Sequence, residues 1–296
     1  MLKICSRSMF AALAPLVLAC AGDTPTKPID ERSLVLAYTT ETGSQCHIVL
    51  SDVDGGTRSI PNVCATGLAW SPDGQRIAFN LPGGEAAPPS LWIMNVDGSG
   101  KSEVAGGRAL VDPDWSPDGT RLATINLSTG FMETMRVDGS ERVELPAAGL
   151  YSYGRPSWSP DGSEILFARF DTLWVVNVSS GAAHVQAVPA LHGITEPRWS
   201  PDGSRISLDA AAPNRLGVYV VNADGSNPLL LADGSIDGGA APWSADGSQL
   251  VFESALGDGT TVDIYVVASD GSSAARNVTH NSNGKASFSP DWARSR

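Results

Sequence analysis

Trp70-Ser71-Pro72-Asp73-Gly74 decides the fold, because the phrase returns. It reads WSPDG again at Trp115, Trp158 and Trp199, WSADG at Trp243, and a degenerate FSPDW at Phe288. The steps between these aromatic residues are 45, 43, 41, 44 and 45. A period in the low forties, with strands between, marks the blades of a propeller, since one blade cannot bury its face alone and must stack on neighbours. In the four WSPDG phrases Pro presets φ at the second turn position and Gly closes the turn. The Trp therefore ends one strand, and the residues after Gly begin the next.

Reading outward, the strand after the turn alternates, as in Arg76-Ile77-Ala78-Phe79 and Glu164-Ile165-Leu166-Phe167. A third strand follows, such as Leu91-Trp92-Ile93-Met94, and ends in Asp-Gly at Asp97, Asp138, Asp224 and Asp270, a favoured hairpin turn. A fourth, more polar strand leads back to the next Trp. The ends of the chain are out of phase. Ser33–Tyr38 reads as a second strand with no phrase before it, Cys46–Asp54 as its third strand, and Lys285–Pro290 as a first strand with nothing after it. The two fragments complete one blade. The expected fold is all-β: a six-bladed β-propeller of four-stranded antiparallel blades over residues 33–296. Pairing of the C-terminal strand with the N-terminal strands closes the ring and removes the exposed edge. The repeated Trp residues belong to this framework, each burying roughly 150–250 Å².

The WSPDG-type repeat resembles the TolB-like β-propeller family over residues 33–296. The resemblance implies a cell-envelope protein. The α/β domain that precedes the propeller of TolB has no counterpart here, where only a short linker stands. Related repeats form the propellers of prolyl oligopeptidases, which add an α/β-hydrolase domain not seen in this sequence.

The N-terminal residues supply an address. Residues 1–19 carry Lys3 and Arg7 and then an apolar run from Met9 to Ala19, too short to span a bilayer. This is the layout of a signal peptide. It ends Val17-Leu18-Ala19-Cys20, which resembles the bacterial lipoprotein processing box, so Cys20 is the expected lipidation site. The alternative is ordinary secretion with cleavage near Ala19 or Ala21. Residues 20–32, with Pro25 and Pro28 among polar neighbours, form the expected tether. The expected location is the bacterial cell envelope, lipid-anchored, at the outer membrane and facing the periplasm or the surface. In that oxidising compartment Cys46 and Cys64 are expected to pair; two buried free thiols are the alternative.

Charge narrows the partners. Formal net charge is −12 over 296 residues, and removal of Lys3 and Arg7 brings the body near −14, with 18 basic and 32 acidic side chains. Nucleic acid is excluded as a main partner, since phosphate binding needs clustered Lys and Arg. The lipid, not the surface charge, would hold the body at the membrane.

Apparent motifs for chemistry dissolve into turns. Gly98-Ser99-Gly100-Lys101-Ser102 imitates a phosphate loop, but the required first Gly falls at Asn95 and no helix follows. Asp52-Val53-Asp54-Gly55 lacks the later carboxylates of a calcium loop. His47, His184, His192 and His280 have no metal-ligand spacing, and no G-x-S-x-G elbow is present. No catalytic residue, metal or cofactor is expected.

Loops entering the first strands surround the mouth of the axial channel. Three residues before each aromatic position stand Gly67, Asp112, Arg155, Glu196, Ala240 and Lys285. This position varies while the Trp and the turn Pro recur, as a surface tuned for a partner would. Asp112, Arg155, Glu196 and Lys285, with Tyr151, Tyr153, His192 and Asp237 from the same loops, are the expected partner-binding residues. The alternative is solvated rim charge. The expected function is a monomeric envelope scaffold that binds a protein or peptide. The alternative is a carbohydrate-binding protein, or a lyase or hydrolase with its site in the channel mouth.

Overall fold

The computed structural model describes residues 34–52, 56–84, 87–146, 152–213, 215–234, 241–256, 261–281 and 285–293, without the side chains of Leu34, Ser152 and Tyr153. Among them there is no helix. The chain opens with β1 (Leu34–Thr42), β2 (Gln45–Asp52) and β3 (Thr57–Pro61). The first full blade is β4 (Thr66–Trp70), β5 (Arg76–Leu81), β6 (Ser90–Asn95) and β7 (Ser102–Arg108). The second is β8 (Leu110–Trp115), β9 (Arg121–Asn126), β10 (Phe131–Arg136) and β11 (Val143–Leu145). The third is β12 (Ser152–Trp158), β13 (Glu164–Arg169), β14 (Thr172–Asn177) and β15 (Ala183–Gln186). The fourth is β16 (His192–Trp199), β17 (Arg205–Ala212), β18 (Arg215–Asn222) and β19 (Leu229–Asp233). The fifth has β20 (Gln249–Ser254), β21 (Asp263–Ala268) and β22 (Arg276–Asn277), and its inner position is held by a single bridge, Trp243 to Leu250. The last strand, β23 (Lys285–Trp292), pairs antiparallel with β1, so the sixth, closing blade runs β23-β1-β2-β3. The six-bladed ring is thus closed by the two ends of the chain.

Each Ser-Pro-Asp-Gly turn uses one hydrogen-bond scheme. The hydroxyl of Ser71 donates to Asp73 Oδ1 at 2.5 Å and accepts from Arg76 N at 2.9 Å, and the same carboxylate oxygen accepts from Gln75 N at 3.0 Å. Ser116, Ser159, Ser200 and Ser244 donate in the same way to Asp118, Asp161, Asp202 and Asp246. These bonds favour the ionised carboxylate and hold those four aspartates below the ordinary range, Asp202 at about 2.

The Trp residues lock neighbouring blades. Trp70, Trp115, Trp158 and Trp243 are buried. Trp115 packs among Ala69, Ala78 and Leu91 of the preceding blade, donates from Nε1 to Ala69 O at 3.0 Å, and is capped by the Arg76 guanidinium 4.7 Å above its ring. Trp243 repeats the pattern, with Nε1 donating to Arg198 O at 3.2 Å and Arg205 over the ring at 4.8 Å. Cys46 and Cys64 form a disulfide, with their Cα atoms 4.8 Å apart.

One expectation is corrected. The sixth member of the Trp series is Trp292, not Phe288. Trp70, Trp115, Trp158, Trp199 and Trp243 pair with Ile77, Leu122, Ile165, Ile206 and Leu250, and it is Trp292 that pairs with Leu36. Ser289-Pro290-Asp291-Trp292 is therefore the end of an inner strand. It is the counterpart of Asp112-Pro113-Asp114-Trp115, not of a Ser-Pro-Asp-Gly turn. The short phrase Ser-Pro-Asp occurs in both contexts; pairing partners decide between them.

Candidate functional site

Every inner strand that pairs fully is bulged just before its last residues, where the register shifts. Gly67, Asp112, Glu196 and Ser289, each three residues before the Trp, have φ of 58°, 55°, 50° and 53°. In the third blade the bulge falls one residue earlier, at Gly154 with φ 95°. The left-handed conformation costs a non-Gly residue roughly 1–2 kcal/mol, so Asp112, Glu196 and Ser289 keep it only because the ring over-determines it. The bulges bring these residues together at one mouth of the axis. Gly67 N donates to Ser289 Oγ at 3.3 Å, a Cβ on Gly67 would stand 3.3 Å from Asp112 Oδ1, and one on Gly154 would stand 2.7 Å from Glu196 N. Glycine is required at 154 for that approach.

The second strands add a layer behind. Three residues past the partner of each Trp stand Thr39, Asn80, Ile125, Ala168, Asp209 and Glu253. Asn80 Oδ1 accepts from the bulge amide of Asp112 in the next blade at 2.9 Å, and Glu253 Oε2 accepts from the bulge amide of Ser289. Asp209, at the same place in the fourth blade, is buried and neither of its carboxylate oxygens has a hydrogen-bond partner. Burial, and then the charges of Glu196 and Glu253, push its carboxyl well above the ordinary range. Glu196 is half-buried with Oε2 shut off from solvent, and burial together with the Asp112 charge raises it to about 7, against the opposing pull of Arg198 and Arg155.

Arginines close the channel beneath this acidic layer. Arg155 is buried and reaches past the second blade, donating from Nη2 to Leu68 O in the first at 2.5 Å. Arg198 is buried too and donates from Nη1 to Pro156 O at 2.7 Å. Burial and the Arg155 charge lower Arg198 to about 10, which leaves it cationic at neutral pH. The residues just before the Trp complete the plug: Asp291, Asp114 and Ser157 accept from the amides of Trp70, Trp158 and Trp199 at 2.7, 2.8 and 3.1 Å.

The expected residues are thus partly assembled. Asp112, Arg155 and Glu196 converge, but as enclosed, mutually coupled charges and not as a solvated rim. Lys285 sits at the start of β23 opposite Thr42, and its place in the ring of bulges belongs to Ser289. His192 is the exposed first residue of β16, opposite Ala211. Tyr153 pairs with Ala168 in the backbone, and its side chain lies outside the described set. Tyr151, Asp237 and Cys20 lie outside the described residues. Asn80, Asp209, Glu253, Asp114, Arg198 and Asp291 were not singled out from the sequence. The recurring x-Pro-x-Trp of 112–115, 155–158, 196–199 and 289–292 is a signal that would have placed Asp114, Arg198, Ser289 and Asp291. Among the described residues no group of three His, Cys, Asp or Glu is placed to hold a metal ion.

What the arrangement offers is an enclosed acidic end that favours a basic group, since an ammonium or guanidinium would give partners to the Asp209 carboxyl and to Oε2 of Glu196. Comparison with known proteins agrees on the fold. TolB from Acinetobacter baumannii is similar, with 16% identity, a TM-score of 0.76, and coverage of 90% of this chain and 68% of that one. A chain of a nidogen–laminin complex has 12% identity and a TM-score of 0.67, covering 88% of this chain and 98% of that one. An oligogalacturonate lyase in complex with manganese has 17% identity and a TM-score of 0.51, covering 82% and 72%. At these identities the likeness is one of fold, shared by a lyase, by TolB and by a chain of a nidogen–laminin complex. No curated protein matches the chain. The model of the TolB beta propeller domain matches residues 125–294, more than half of the sequence. The chain belongs to the TolB beta propeller domain family.

Proposed function

We propose that this chain is a cell-envelope lipoprotein, anchored through Cys20, whose propeller holds a protein partner against the acidic mouth. The observation that carries the reading is the coincidence on one face of enclosed carboxylates with exposed apolar turns. Leu127, Phe170, Leu216 and Leu256 are exposed to 56%, 59%, 44% and 37%. Leu127, Phe170 and Leu256 follow the second strands of the second, third and fifth blades, and Leu216 is the second residue of β18 in the fourth, paired with Ala211 beside the corresponding turn; all stand toward the face where the inner strands begin. A single exposed Leu means little, but four near the same face of consecutive blades form an arc around the mouth. A polypeptide with apolar side chains for the arc and a Lys or Arg for the Glu196 and Asp209 carboxyls fits both features. The TolB-like fold supports a scaffold role at this coarse level, and the basic-then-apolar leader ending at Cys20 supports the anchor.

Two measurements test it. Metabolic labelling with an alkynyl fatty acid should mark the intact chain and not Cys20→Ser; label on both sinks the anchor. Capture from envelope extract should recover a protein with the intact chain and lose it with Leu127→Ser, Phe170→Ser and Leu216→Ser combined, or with Glu196→Gln. Equal recovery by all forms sinks the mouth as the binding face.

A further inference from the structure

The opposite end of the axis is unsatisfied in the other sense. At the mouth the buried atoms without partners are acceptors, both carboxylate oxygens of Asp209 and Oε2 of Glu196. At the turn end a cavity of about 230 Å³ opens, and the buried unpartnered atoms of its lining residues are all donors: Nε of Arg198 and Nε1 of Trp158, Trp199 and Trp292. The indoles of Trp115 and Trp243, by contrast, donate to main-chain carbonyls of the preceding blade. An excess of unpaired N–H dipoles around one space, with a cation beside it, favours negative charge there.

The repeat shapes this cavity. The turns stack around the opening, and a Cβ on Gly119, Gly162, Gly203 or Gly247 would stand 3.7, 3.6, 3.6 or 3.7 Å from the Pro of the preceding turn. The closing blade adds no turn, because its first and second strands come from opposite ends of the chain. There Asp291 and Trp292 line the cavity, and Trp292 pairs with Leu36 near the start of β1. The walls are Pro and Trp side chains, with Trp199 partly exposed, and polar groups are few. The residues just before the Trp series are Ala69, Asp114, Ser157, Arg198, Pro242 and Asp291, so Arg198 is the one base among them. A guanidinium carries five N–H donors. That of Arg198 uses Nη1 for Pro156 O at 2.7 Å and has no acceptor for Nε. Asp291 is already engaged, accepting from the Trp70 amide at 2.7 Å. The spare bonding capacity in the wall is that of Arg198.

A space of about 230 Å³ is below the roughly 300–1,000 Å³ of drug-sized sites. It equals the volume of roughly seven or eight waters, which suits a molecule of one ring or a short chain. We infer that the turn-end cavity binds a small monocarboxylate with a compact apolar body, its carboxylate on Arg198 and its body against the Pro and Trp walls. A carboxylate on a guanidinium makes charge-assisted bonds, roughly twice as strong as neutral ones. Asp291, a like charge in the same wall, disfavours a second carboxylate on the ligand. Arg155 and Arg198 separate the cavity from the acidic mouth, so its occupancy does not depend on a protein binding there.

The test is fluorine NMR of the full chain carrying 5-fluorotryptophan, titrated with benzoate. Trp199→Phe assigns the Trp199 signal. Trp92 and Trp174 lie on the third strands β6 and β14, outside the cavity lining, with Lys101 and Arg169 over their rings, and so report adventitious binding to surface cations. Expected is a saturable shift of Trp199 with Trp92 and Trp174 unmoved. Benzoate should bind about tenfold more tightly than neutral benzamide, and phthalate, with its second carboxylate, more weakly than benzoate. Arg198→Gln should bring benzoate down to the level of benzamide. Because Arg198 is buried, a thermal melt checks that this variant folds, and the benzamide comparison in the intact chain decides without it. Equal binding of benzoate and benzamide overturns the proposal, as do tighter binding of phthalate, a shift confined to Trp92 and Trp174, or no saturable shift up to about 10 mM. Failure of partner capture at the mouth, with benzoate binding intact, would fall on the scaffold reading alone.

Discussion

The two ends of the channel are made from the same repeat and obey opposite rules. At the turn end nearly the same residues stand in each of five phrases: Ser, Pro (Ala245 in the fifth), Asp and Gly, each bonded to its own turn and packed on the next. At the mouth the equivalent positions differ in every blade. Gly67, Asp112, Glu196 and Ser289 form one layer, Arg155 reaches beneath it, and Asn80, Asp209 and Glu253 belong to the layer behind. Residues that recur meet needs every blade shares, namely turn geometry and blade packing. Residues that vary at one place meet each other only after closure, and there the ring concentrates acidic groups at a cost in burial and backbone strain that a repeat alone does not require.

The contrast can be broken in stages. The largest effect is expected from Trp115→Ala on the framework side. It removes a fully buried ring, its bond to Ala69 and its contact with Arg76, for a loss of about 3–5 kcal/mol in urea unfolding. Arg155→Ala should come next, at about 3 kcal/mol, because it leaves the Leu68 carbonyl without its donor and removes one of the two guanidinium groups that offset Glu196. A loss under about 1 kcal/mol would mean that the mouth charges are not a coupled network.

pH separates the two ends by sign. Glu196 binds its proton more tightly in the folded protein, so its contribution is full below its ordinary 4.5 and is lost as pH rises through about 7. Thermal stability should therefore fall from pH 5 to 8, by on the order of 2 kcal/mol, and Glu196→Gln should flatten that slope. The turn aspartates run the other way: their contribution is present above the ordinary 3.8 and is lost as pH falls toward the value of about 2 held by Asp202. A smaller effect, about 1 kcal/mol, is expected of Ser159→Ala, which removes one turn hydroxyl bonded to Asp161 and Glu164. The smallest is His192→Ala, within about 0.5 kcal/mol, since this exposed residue only begins its strand; a larger loss in a melt would give it a place in the mouth that its position does not suggest.

Much of this was readable from the residues. The spacing of the phrases and the Asp-Gly hairpins are local turn chemistry, and they sufficed for the blade count, the strand order and ring closure. The register of the last repeat was not readable from the phrase alone, because Ser-Pro-Asp at 289–291 is spelled like a turn while Trp292 is bonded like Trp115. The second-strand residues were hidden for another reason. Asp209 and Glu253 sit in apolar alternating runs that read as core, and nothing local to them reveals a charged neighbour some 40 residues away in sequence.

By itself, then, the sequence determined what depends on a few consecutive residues: turns, hairpins, strand alternation and the period that stacks them into a closed ring. Only the tertiary structure decided which of two Ser-Pro-Asp phrases is a turn, that Asp209 joins Asp112, Arg155 and Glu196 and that this end is enclosed, and that the proline-lined cavity opens where the chain begins its first strand. The physical reason is that charge coupling, desolvation and cavity shape act through space between blades, and each blade carries only one sixth of the surface that meets at the axis.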